Sequence, residues 1–144
     1  MARRIKKSRN RKSGGHRQAP RPAAWDCPRG NCRFCGEPII ENGKQNNRKH
    51  WHQKCADIWK IANNPTDARK YMFLREKGKC EQCDFISLLM KDFQVDHIVP
   101  LFEANGEISY YTETNMQLLC KSCHAEKTKI DMIRYRELKS LETP

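Results

Sequence analysis

Three C-x-x-C pairs constrain this chain more than any other feature: Cys32/Cys35, Cys80/Cys83 and Cys120/Cys123. Two thiolates at that spacing leave one tight turn and reach a single metal ion, with sulfur–metal bonds of about 2.3 Å. Cys27 and Cys55 bring the total to eight. An even count would also suit disulfides in a secreted protein. The basic N-terminus, however, is not followed by the apolar segment of a secretion signal. The paired spacing therefore predicts zinc rather than disulfides. No run approaches the roughly eighteen apolar residues of a membrane-spanning helix, so none is expected.

Metal staples matter because the chain has little else to build on. Its 144 residues hold 8% aromatics and 31% charged residues. That is room for one ordinary domain or two very small ones, and units of that size need help beyond apolar burial. The expected fold class is a small zinc-stabilised α+β protein. Charge is unevenly placed. Residues 1–22 carry nine Lys or Arg and no acid, whereas residues 23–144 carry 19 bases against 17 acids. The net charge of +11 is thus mostly a property of the tail. Residues 1–26 read as a disordered basic arm suited to nucleic-acid phosphates.

Residues 27–62 read as a zinc finger. Cys32, Cys35, His52 and Cys55 form a Cys₃His ligand set. Cys27 could replace one of them, but reads first as a free thiol at the edge of the arm. Asn42-Gly43 predicts a short hairpin turn. A short helix should follow Cys55 and break at Asn63-Asn64-Pro65. Residues 63–79 then read as a linking helix, capped by Thr66 and ending at Lys77-Gly78. Within 80–132, residues 85–89 and 93–100 are expected to pair as a hairpin. Residues 102–114 should form a loop, and residues 115–121 an extended segment that turns into a helix near Ser122. Residues 133–144 are expected to finish that helix and form a tail. Cys80, Cys83, Cys120 and Cys123 form a closed Cys₄ set, which marks a structural rather than a catalytic zinc.

The segment "QVDHIVPL", residues 94–101, is the anomaly. Asp96 and His97 interrupt an apolar strand, where buried charge is costly. Together with "CEQC" and "NMQLLCKSCHAEKT", this segment resembles the HNH endonucleases, over roughly residues 70–130. Residues 32–62 more loosely resemble the treble-clef-like or LIM-like fingers that precede some phage and bacterial HNH domains. The resemblance implies a ββα-metal core with His97, Asn115 and His124 as the motif residues and Asp96 as the acidic partner.

The same resemblance implies a metal-dependent endonuclease that cuts or nicks double-stranded DNA. Asp96 and His124 would hold Mg²⁺ or another divalent ion, and His97 would be the general base. Asn115 would hold the loop, orient His97 or touch the metal. Apart from the resemblance, Lys121, Lys127 and Lys129 read as lining the entry for the phosphate, and almost as well as a solvated helix face. The expected setting is the cytoplasm of a bacterial cell, with phage-encoded origin in view. Taken singly, each residue has a plainer reading: His97 as a hydrogen-bonded strand end, His124 as a neighbour of the zinc, Asn115 as a turn cap. The competing functional class is a zinc-stapled nucleic-acid-binding accessory protein with an idle site. Oligomeric state stays open.

Overall fold

A computed structural model describes residues 19–142; residues 1–18 of the basic arm and the last two residues lie outside it. The N-terminal unit is built from turns. Cys32 and Cys35 flank a knuckle in which Gly36 (φ 80°) donates its N–H to the Cys32 carbonyl. Strands β1 (Ile40–Glu41) and β2 (Lys44–Gln45) pair antiparallel across Asn42-Gly43. Both turn residues have positive φ, 52° and 74°, as a two-residue hairpin of this hand requires. The expectation of a disordered arm through residue 26 does not hold for residues 19–26, which are packed. Trp25 lies against Trp51 and Trp59, with ring centroids 5.4 and 5.7 Å away. The Arg21 guanidinium lies 5.0 Å from the Trp25 ring centroid. Aromatic burial of this kind outweighs the local chain entropy.

Helices α1 (Gln53–Asn63) and α2 (Pro65–Arg75) meet at Asn64. Its side chain accepts the N–H groups of Thr66 (3.0 Å) and Asp67 (3.4 Å). Asn64, not Thr66, is therefore the cap, because Pro65 takes the first helical position, where its fixed φ suits and its missing N–H costs nothing. Helix α2 does more than link. Ala68 and Met72 bury into one core with Phe93, Met116, Leu118, Leu119, Cys80 and Cys120.

The sheet of that core differs from expectation. Strand β3 (Phe93–His97) pairs antiparallel with β4 (Met116–Cys120), with Asp96 opposite Gln117 and His97 opposite Met116. Residues 85–89 are not its partner. They form a single bridge, Lys79 to Ile86, and a 3-10 turn follows at Met90–Asp92. The alternation in 85–89 leads nowhere, since Leu88 is 94% exposed. A metal-type knuckle holds this segment: the Cys80 N–H donates to the Phe85 carbonyl, and the Ser87 N–H to that of Gly78. Phe85 and Phe73 flank the fully buried Phe93, at centroid distances of 5.6 and 5.8 Å.

Residues 98–115 join the two strands through short 3-10 turns at Leu101–Glu103, Ile108–Tyr111 and Glu113–Asn115. Asn105 and Gly106 take the two left-handed positions (φ 51° and 78°) that reverse the loop. Ala104 and Tyr111 bury against Ala19 and Ala62, which ties the loop to α1. Helix α3 (Lys121–Glu142) leaves β4 directly and crosses β3. Phe102 and Tyr135 pack edge to face at 5.2 Å, and Arg134 pairs with Glu103.

Candidate metal centres and active site

Two groups of ligand atoms stand ready for metal: Cys32, Cys35, His52 and Cys55, and Cys80, Cys83, Cys120 and Cys123. Within each group the candidate atoms all lie within 4.8 Å of one another. The Cys83 and Cys120 sulfurs are 3.7 Å apart. That is close to the edge of about 3.8 Å of a tetrahedron with sulfur–metal bonds of about 2.3 Å, and too long for a disulfide. In the first group, His52 Nδ1 lies 3.4 Å from the Cys35 sulfur and 3.9 Å from that of Cys55. His52 Nε2 is 3.2 Å from the Pro38 carbonyl oxygen. With Nε2–H donating there, Nδ1 keeps its lone pair for a metal. Cys27 stands apart and donates its thiol to the Asn31 carbonyl at 3.4 Å.

Proton distribution points the same way. Burial opposes the thiolates of Cys32 and Cys120. In Cys32 the backbone N–H groups of Cys35 and His52 overcome it and bring the thiol down to about 6. In Cys120 the Ser122 hydroxyl and the Cys123 N–H do the same, also to about 6. Burial and the Cys32 sulfur push Cys55 up to about 12, and shared hydrogen bonds with Cys120 and Cys83 push Cys123 up to about 12. Thiols pushed in opposite directions within one cluster are what sulfurs packed this closely show when no cation lies among them to favour every thiolate.

The polar residues of β3 sit between α2 and α3. Asp96 Oδ1 accepts the backbone N–H of His97 at 2.8 Å, which orients the carboxylate. Its Oδ2 lies 3.5 Å from Lys127 Nζ on α3, and that ammonium is 2.5 Å from Asp131 Oδ2. An open cleft of about 330 Å³ runs over this point, lined by Asp96, His97, Phe102, Thr128, Asp131 and Tyr135 among others. His97 also borders a second cleft, of about 360 Å³, on the α2 side beside Arg69 and Gln94. His97 Nε2 is buried and has no hydrogen-bond partner among the described residues. Burial lowers the imidazole pKa below its usual value; Asp96 works against this and Lys127 adds to it. The ring is therefore biased to the neutral form.

Asn115 is the clamp of the 98–115 loop. Its Nδ2 donates to the carbonyls of Val99 (2.9 Å) and Tyr110 (2.8 Å), and its Oδ1 accepts the Val99 N–H at 2.9 Å. Its backbone carbonyl accepts the Ile98 N–H at 2.8 Å. Those bonds occupy the side chain with the chain that comes after His97. His124 lies on the first turn of α3, and its carbonyl accepts the Thr128 hydroxyl at 2.8 Å. It sits one turn before Lys127 and Thr128 on α3. No hydrogen bond joins it to Asp96 among the described residues, and it does not line the cleft of Asp96. The Lys127–Asp131 pair is not among the sequence-based expectations. Its only trace in the sequence is the i,i+4 spacing, and the contact with Asp96 is long-range. Lys129, by contrast, is exposed and pairs with Glu126.

Comparison with known proteins fixes the relationship. Residues 80–129 match the family model of the HNH endonucleases. Over this segment the chain is similar to the HNH endonucleases. A curated relative, the "Probable HNH endonuclease" of Lactococcus phage SK1, is 41% identical over 63 residues. That match covers 42% of this chain and 64% of the relative, so the chain spans just under two thirds of the relative's length. No solved structure matches. The family segment contains Asp96, His97, Asn115, His124 and the Cys₄ group. No helix among the described residues is long and apolar enough to cross a membrane.

Proposed function

We propose that this protein is a metal-dependent HNH endonuclease that hydrolyses phosphodiester bonds of double-stranded DNA in a bacterial cell, in keeping with the phage origin of its relative. The observation that carries this reading is that one cleft is lined both by His97, whose Nε2 is buried and without a hydrogen-bond partner among the described residues, and by Asp96 with its oriented carboxylate. His97 acts as the general base that takes a proton from the attacking water. Its bias to the neutral form suits that role. By the family resemblance, Asp96 and His124 would hold Mg²⁺ or another divalent ion, which would supply Lewis-acid polarisation of the phosphate and stabilise the leaving 3′ oxygen. Asn115 holds the loop after His97 and so fixes where the base stands. The two cysteine groups hold structural zinc, the first within an N-terminal finger at residues 27–62, the second stapling the nuclease core.

One observation favours a second reading. The Lys127 ammonium already neutralises Asp96, as an idle site in a DNA-binding accessory protein would allow. A supercoiled plasmid separates the two. With Mg²⁺ or Mn²⁺ the enzyme gives nicked or linear DNA bearing 5′ phosphates. Bound but intact plasmid would refute the nuclease.

A further inference from the structure

Lys127, Asp96 and Asp131 form a chain of charges that a helix-stabilising pair does not explain. Lys127 precedes Asp131 by four residues, the weaker order for an i,i+4 pair. Yet the three side chains are only 14%, 20% and 23% exposed. The ammonium reaches both carboxylates, at 3.5 Å from Asp96 Oδ2 and 2.5 Å from Asp131 Oδ2. Asp96 Oδ1 accepts the His97 N–H, whereas Oδ2 faces the Lys127 ammonium. The ammonium therefore stands at the less engaged of the two oxygens that a metal ion could use.

We infer that Lys127 is a built-in competitor for the divalent ion at Asp96, and that Asp131 is the positioning residue that holds Lys127 when the ion arrives. The inference rests on the reading of Asp96 as a metal ligand. A dication and an ammonium on one half-buried carboxylate oxygen repel strongly. The lysine must retreat, and Asp131 gives it a second anion to retreat to without becoming a buried unpaired charge. Without a metal, Lys127 compensates Asp96 and keeps its charge tolerable beside the core. The arrangement sets metal affinity by competition, as a coupling between two cation positions.

Mn²⁺ titration of the full-length, zinc-loaded chain without DNA tests this, with free Mn²⁺ read by electron paramagnetic resonance. Lys127→Met should tighten Mn²⁺ binding about tenfold, and Asp131→Asn should weaken it about tenfold. Lys129→Met removes the same charge from an exposed position and should change affinity less than about twofold. The decisive comparison is the double variant. If Asp131 works by holding Lys127, the penalty of Asp131→Asn shrinks to less than about threefold once Lys127 is gone. Equal penalties in both backgrounds would make Asp131 a simple field effect or a ligand and overturn the inference. So would Mn²⁺ binding that needs Asp96 but ignores Lys127. Mn²⁺ binding that Asp96→Asn leaves unchanged would overturn the reading of Asp96 as a ligand itself, and the inference with it.

Discussion

Asn115 commits its side chain to the loop that follows His97. Three of its side-chain hydrogen bonds close the loop that begins one residue after His97. Asn115→Ala would leave the Val99 N–H and the carbonyls of Val99 and Tyr110 without partners in a part-buried setting. The expected cost is about 3 kcal/mol, read by urea denaturation, together with loss of ordered cleavage. At this scale the sequence is informative about residue types and less so about contacts. The resemblance names Asp96, His97, Asn115 and His124, and leaves Asn115 with three roles. The hydrogen bonds support the first, that of holding the loop. Lys127 reads in the sequence as a phosphate-facing cation, because nothing local in "CHAEKTKID" reveals that it meets Asp96 across the fold.

Among the elements, the pairing partner of β3 departs furthest from expectation. Both 85–89 and 116–120 are apolar enough to be strands, and proximity in sequence favours the nearer one. Burial decides otherwise: Leu118 and Leu119 are fully buried against Met72 and Phe93, whereas residues 85–89 serve the cysteine knuckle. Gly78 makes that knuckle possible. It has φ 67°, and a Cβ there would collide with the Ser87 carbonyl oxygen. Gly78→Ala should therefore destabilise the core by about 2 kcal/mol or more, seen as a lower thermal midpoint with zinc content unchanged below the transition. The Cys spacings, the Asn-Gly turn and the helix break at Pro65 are legible because each depends on residues within a few positions. Strand pairing and the packing of Trp25 depend on partners far along the chain.

For the whole molecule, metal and charge carry the predictions. Metal analysis should find about two zinc ions per chain, about one after Cys120→Ala, and no change after Cys27→Ala, since Cys27 lies outside both ligand groups. Chelation should abolish the cooperative melt, because the buried core includes Cys80 and Cys120 themselves. The nine basic residues of segment 1–22 should set the salt dependence of DNA binding. Deleting that segment should flatten the slope of log K against log salt by several units, whereas an unchanged slope would remove the arm from the interface. The proposed nuclease activity depends on a neutral His97 beside Asp96. Its most direct test is nicking of supercoiled plasmid in Mg²⁺ by the zinc-loaded protein and by His97→Ala at equal DNA occupancy. Cleavage by the native chain is expected, with a loss of about 10²- to 10⁴-fold in the variant and binding retained. Cleavage that survives His97→Ala at full rate would contradict that dependence.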